Sequence, residues 1–183
     1  MEVGQEDVYY YRTVMNENYT QPAMPQRKGM EEEILKGMYL LKAGEKGDKK
    51  VQLMGSGVIL NEVIKGAELL KNDFGVDADI WSVPSFNLLH RDAIEVERYN
   101  RLHPLEEAKL PFVTRQLQGY EGPVIASTDY IRSFADRIRA YIPNDYHVLG
   151  TDGFGRSDSR ANLRDFFEVD SRHVAVAALS ALA

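Results

Sequence analysis

Between residues 150 and 160 the chain reads Gly-Thr-Asp-Gly-Phe-Gly-Arg-Ser-Asp-Ser-Arg, a dense run of groups able to bind, pair or transfer protons. Asp152 and Asp158 offer carboxylates, Arg156 and Arg160 guanidinium groups, and Ser157 and Ser159 hydroxyls. Gly150, Gly153 and Gly155 let the backbone turn sharply and let another surface come close, with Phe154 between them. An apolar strand signal at residues 146–149 precedes the run and a helical signal at residues 162–167 follows it. Fixed polar groups on a strand-to-helix turn suit a docking edge better than a plain connector. Bidentate pairing of Arg156 and Arg160 with Asp152 and Asp158 would build a polar network across an interface. The plainer alternative is a turn that satisfies its own backbone.

Other constellations are weaker. Gly55-Ser56-Gly57 lies between a strand signal and a helix signal, where helix N–H groups bind anions. A dinucleotide loop needs a glycine at position 60, occupied by Leu60, and a phosphate loop needs a Lys-Ser/Thr ending that is missing. A tight turn is the better reading. Thr151-Asp152-Gly153 is similar in outline to the Gly-Asp-Gly that opens the metal–diphosphate motif of thiamine enzymes. That motif continues to an Asn pair, and residues 154–183 hold only Asn162. His90, His103, His147 and His173 show no helical pairing with one another. Asp92, Glu95, Glu97, Glu106 and Glu107 near the first two offer a metal set on paper, but charged helix faces usually point to water. Ser157 with a His and an Asp would make a hydrolytic triad, yet no Gly-x-Ser-x-Gly surrounds it.

Composition narrows the function classes. A chain of 183 residues with 44% hydrophobic and 27% charged positions can bury a real core. Its net charge of −6 argues against nucleic acid or an anionic membrane as main partner. The absence of Cys excludes disulfides, thiolate metal sites and Cys nucleophiles, and fits a reducing cytosol. No apolar run reaches membrane-span length and no charged-then-apolar signal opens the chain, so a cytoplasmic domain is expected.

The elements that would position these groups alternate. Residues 8–14 read as a strand, and residues 16–25, with Pro22 and Pro25, as a linker. Residues 1–25 are therefore expected to be the tail of a preceding domain plus its linker, and 26–183 the domain proper. A helix is expected at residues 30–41, with Ile34, Leu35, Met38 and Leu41 on one face. Strands follow at 51–54, 79–83 and 123–127, joined by helices over about 58–71, 87–101 and 110–118. Asp129 is expected to cap a helix in which Ile131, Phe134, Ala135, Ile138 and Tyr141 share a face. Ser171 is expected to cap a last helix. Strands separated by helices imply a three-layer α/β/α fold with a mostly parallel sheet of about five strands.

Long stretches then resemble one family in order along the chain. They are Val8-Tyr9-Tyr10-Tyr11, Asn16-Glu17-Asn18-Tyr19, residues 51–57, Leu102-His103-Pro104-Leu105-Glu106, residues 126–130 and the whole run 150–160. The chain is similar to the C-terminal domain of homodimeric-type pyruvate dehydrogenase decarboxylating components, within the transketolase-like thiamine diphosphate enzymes. The resemblance implies a three-domain enzyme that decarboxylates pyruvate oxidatively with thiamine diphosphate and Mg²⁺ held by domains absent here. It implies transfer of the acetyl group to a lipoyl arm on the dihydrolipoyl acetyltransferase component. By the same resemblance this part braces the preceding domain and the homodimer, and carries no catalytic, cofactor-binding or metal residue of its own. Asp152, Phe154, Gly155, Arg156, Ser157, Asp158 and Arg160 are the expected contacts. Two rival classes stay open on the residues alone: a stand-alone small-ligand module using the carboxyl ends of the strands, and a hydrolase using Ser157.

Overall fold

A computed structural model describes residue 9, residues 17–45 and residues 49–183. Helix α1 (Met30–Leu35) leads into strand β1 (Tyr39–Lys42), and β2 (Lys50–Gly55) is followed by α2 (Ile59–Phe74) and β3 (Asp77–Ser82). Helices α3 (Phe86–Leu102) and α4 (Phe112–Leu117) carry the chain to β4 (Val124–Ser127). A short α5 (Arg132–Asp136) and a 3₁₀ turn (Arg139–Tyr141) precede β5 (Tyr146–Leu149); α6 (Arg160–Phe166) and α7 (Ser171–Leu182) complete it.

The strands form one sheet in the order β1-β3-β2-β4-β5. β3, β2, β4 and β5 are parallel, so each must be joined by a crossover, and the helices supply it. β1 alone runs antiparallel, along the outer edge of β3. The pleat sends alternate residues to opposite faces. Val51, Leu53, Ile80 and Ile125 enter one apolar cluster with α2 and α7. Met54, Trp81, Val124 and Ala126 enter the other, with Phe86, Leu89, Phe112, Val113, Ala135 and Ile138 from α3, α4 and α5 and the turn behind it. Both faces are covered, which is the expected three-layer α/β/α arrangement with a mostly parallel five-stranded sheet.

One buried polar knot ties the amino ends of the strands together. The Gln52 amide donates to Asp79 Oδ2 (2.8 Å) and to the Glu121 carbonyl (2.9 Å), and its Oε1 accepts from Trp81 Nε1 (2.9 Å). Asp79 Oδ1 accepts from the Gly44 N–H at 2.8 Å, and Lys50 Nζ lies 3.8 Å from its Oδ2. Gln52 and Trp81 are wholly buried and Asp79 nearly so. Every group in the knot has a partner, which is what makes its burial tolerable.

Residues 30–41 are not one helix. The Lys36, Gly37 and Met38 N–H groups fold back onto the Glu32, Ile34 and Glu33 carbonyls, and Gly37 adopts φ 96°, closing α1 after Leu35. The chain then extends as β1, pairing Tyr39 with Ser82 and Leu40 with Trp81. A non-local demand decides this: the outer edge of β3 needs a partner, and Met38 enters the core while Leu35 stays exposed.

The amphipathic stretch 131–141 is likewise broken. Ala135 and Ile138 are fully buried, yet Ile131 and Phe134 remain 47% and 38% exposed. The Tyr146 hydroxyl, reaching from β5, donates to the Ala135 carbonyl at 2.8 Å beside a long 3.5 Å bond from the Ile138 N–H, and the chain tightens there into the 3₁₀ turn. Asp129 does not cap α5, and the cap of α7 is Asp170 rather than Ser171; its carboxylate accepts from the Arg172 and His173 N–H groups. The strand expected at residues 8–14 lies, Tyr9 apart, outside the described residues. Among the described residues no helix is long and apolar enough to cross a membrane.

Candidate functional site

The polar run sits at the carboxyl edge of the sheet, between β5 and α6, and its groups are fixed one by one. Asp152 Oδ1 accepts from the Arg132 N–H (3.0 Å) and Oδ2 from Arg132 Nε (2.6 Å). It therefore caps α5 from the far side of β5, the task expected of Asp129. The Arg132 side chain and N–H together hold the Asp152 carboxyl below its ordinary range. The Thr151 N–H donates to the Tyr130 carbonyl at 2.9 Å and its hydroxyl to that of Asp129. Asp158 accepts from the Ser159 N–H (2.6 Å) and the Asn162 amide (2.8 Å), while Ser159 Oγ caps α6 by accepting from the Asn162 N–H.

The arginines turn outward from those acids. Arg156 stacks over the Phe166 ring, 5.0 Å from its centroid, and Arg160 Nε lies 2.8 Å from Glu17 Oε1. Within the chain Asp152 is engaged by Arg132, Asp158 by its own helix start, and Arg160 by a segment far upstream. Phe154 points outward, 93% exposed, and Gly155 and Ser157 are exposed beside it.

Next to it, the carboxyl ends of β2 and β4 border an open cleft of about 350 Å³ lined by Ser56, Val83, Pro84, Asn87, Tyr130 and Phe134. Tyr130 on the cleft wall is 60% exposed, and Ile131 and Phe154 are exposed as well. The Ser56 N–H donates to the Ser127 carbonyl and its hydroxyl to Thr128 Oγ1 at 2.8 Å. Gly55-Ser56-Gly57 thus spends its polar groups on the sheet, as a tight turn does.

The remaining candidates disperse. His103 stacks on Tyr99, His147 bonds Asp145, and His173 bonds Asp170. Among the described residues Ser157 makes no hydrogen bond to a histidine. The His90 and His103 acids form no metal grouping among the described residues; the group that does converge is Asp165, Asp170 and His173. The Arg172 guanidinium spans it, 3.0 Å from Asp165 and 2.9 Å from Asp170, filling the place of a cation. Burial disfavours the charged form of Asp170, but the His173 N–H, Arg172 and the His173 ring outweigh it and hold the carboxyl at about 2. Sequence reading missed Arg132 and Arg172 because their partners are set by the fold; only their type, long fork-shaped donors near acids, hinted at the role.

Comparison with known proteins adds the lineage. The chain is 61% identical over 181 residues to the pyruvate dehydrogenase E1 component of Pseudomonas aeruginosa, and 54% over 180 residues to that of Escherichia coli K12. Each alignment takes in 98% of this chain and 20% of the relative, so the chain spans about a fifth of the length of the curated relatives it matches. Among solved structures, the transketolase of Leishmania mexicana matches with a TM-score of 0.54 at 17% identity, over 82% of this chain and 18% of that one. A split-gene transketolase, an inactive β4 tetramer, matches at 0.53 and 16%, over 80% and 42%. These distant structures share the fold. A model of the transketolase-like TK C-terminal domain matches residues 37–170, and with most of the chain so covered, the chain belongs to that family.

Proposed function

We propose that the chain is the C-terminal part of a cytoplasmic pyruvate dehydrogenase E1 component, and that it serves the reaction by holding other parts in place. The observation that carries this reading is identity above half along 98% of the chain to a protein five times its length. In this reading residues 1–25 are the tail and linker of a preceding domain. The whole enzyme decarboxylates pyruvate with thiamine diphosphate and Mg²⁺ and passes the acetyl group to dihydrolipoyl acetyltransferase. Its homodimer and its preceding domain are braced through Asp152, Phe154, Gly155, Arg156, Ser157, Asp158 and Arg160. The exposure of Phe154, with Tyr130 and Ile131 also exposed, supports that placement, because interfaces bury aromatic and apolar side chains.

The cofactor itself does not fit the residues described. The one convergent acid–histidine group is already bridged by Arg172, and the Ser56 turn directs its polar groups inward. Thiamine diphosphate and Mg²⁺ would be held by domains outside these residues, and no chemical step is assigned to this chain. The test is to supply the purified chain with pyruvate, thiamine diphosphate, Mg²⁺ and a redox dye. No turnover above a protein-free blank is expected; measurable dye reduction overturns the reading.

A further inference from the structure

Glu17 and Tyr19 belong to the stretch that composition marks as a linker, yet they are anchored. Glu17 Oε1 lies 2.8 Å from Arg160 Nε, and the Tyr19 hydroxyl donates to Glu17 Oε2 at 2.8 Å. Arg164 Nη2 reaches the same hydroxyl at 3.4 Å, and both guanidinium groups lie under 6 Å from the Tyr19 ring centroid, at 5.9 and 5.8 Å. The ring also packs against the apolar cluster that α2 and α7 share with the sheet. Behind it, Arg164 Nη1 bonds Glu62 Oε1 at 3.1 Å, and Glu62, buried in α2, accepts the Ser171 N–H that opens α7.

The contacts run from Glu17 to Arg160 on one side, and through the Tyr19 hydroxyl and Arg164 to Glu62 on the other. Both arginines stand on α6, directly after the polar loop. A helix of seven residues has little stability of its own, so α6 depends on what packs against it. The surface also fits its occupant: the Arg160 guanidinium meets the exposed Glu17 carboxylate, and two guanidinium groups flank one aromatic ring.

We propose that the arginine face of α6, backed by Glu62, is a recognition surface for this chain's own Glu17-Asn18-Tyr19 segment, and that the segment works as a latch. Seated, it fixes the angle at which the chain enters the domain and orders α6 and loop 150–159 with it. Released, it leaves the entry free and lets both loosen. The two ends of the domain are thereby coupled, and the entry is an elbow of set angle rather than a flexible tether. This inference concerns the chain alone and does not rest on the reading of the whole enzyme.

Backbone hydrogen exchange on the full chain, followed by mass spectrometry, tests it. Tyr19→Ala and Glu17→Arg should each speed exchange in residues 150–166 by roughly threefold to tenfold, the scale of one exposed ion pair with a ring stack. Asn18→Ala, whose exposed side chain takes no part, should leave those rates unchanged, and β2 and β4 should keep their protection throughout. Unchanged rates in both active variants, an equal effect from Asn18→Ala, or a parallel rise in β2 and β4 would each overturn the latch.

Discussion

Replacing Gln52 by Met probes the polar knot with little change of volume. Three hydrogen bonds disappear, and their worth differs. The Trp81 indole N–H is left without an acceptor in a dry site, at a cost of about 1–3 kcal/mol. Asp79 loses one donor but keeps the Gly44 N–H and Lys50, and the Glu121 carbonyl loses its amide donor, so these add about 1 kcal/mol together. The variant should be about 2–4 kcal/mol less stable, with Tm lower by roughly 5–15 °C for a chain of this size. Urea unfolding followed by Trp81 fluorescence and by circular dichroism measures it, with an unchanged denaturant slope. The second arm is a cycle: in a Trp81→Phe background no N–H is orphaned, and the Gln52→Met penalty should shrink by about 1–2 kcal/mol. An equal penalty in both backgrounds, or one below about 1 kcal/mol in the parent, refutes the account of the knot.

Other outcomes follow from single positions. Gly122→Ala should cost about 3 kcal/mol or more by urea unfolding, because Gly122 holds φ 86° and an added Cβ would stand 1.9 Å from the Lys50 carbonyl oxygen. Gly119→Ala, at the same φ with open space around it, should cost only about 1 kcal/mol. Asp170 lends stability that is complete above about pH 4 and is lost as the pH falls toward about 2, because its folded carboxyl titrates below its ordinary 3.8. Asp170→Asn preserves a capping oxygen, so thermal unfolding between pH 5 and 2 should show a shallower acid limb than the parent. Phe154→Ser should leave the stability of this chain within about 0.5 kcal/mol; the proposed dimer contact is tested by sedimentation of the full-length protein, where the variant should associate more weakly and unchanged association removes Phe154 from the proposed interface.

The sheet was legible wherever the signal was local. Val51–Met54 and Ile80–Val83 carry β-branched and apolar runs bounded by glycine or proline, and α2 carries its apolar stripe at Ile59, Val63 and Leu70. The misread elements are those settled across distance. Tyr39–Lys42 has residues that suit a helix face or a strand equally, and only the vacant flank of β3, reached through Gly37, selects the strand. Residues 131–141 keep helical spacing, but the chain tightens into a 3₁₀ turn where the Tyr146 hydroxyl from β5 joins the Ala135 carbonyl. The site divides in the same way. The chemical density of residues 150–160 is plain in the sequence, whereas the partners Arg132, Phe166 and Glu17 are set by how α5, α6 and the upstream segment pack around the loop. Glu62 offered no signal, being one of many helix glutamates until its burial is known.

The outermost strand has a further effect on the molecule as a solute. The pairing of β1 with β3 slips between Leu40 and Lys42, so the free rim is kinked, short and tipped with a cation. A second extended chain arriving there finds no continuous ladder of donors and acceptors and must bury an ammonium group to proceed. A rim so shaped, with one misaligned residue in a four-residue ribbon, is the kind of edge by which folded sheets resist rim-to-rim pairing.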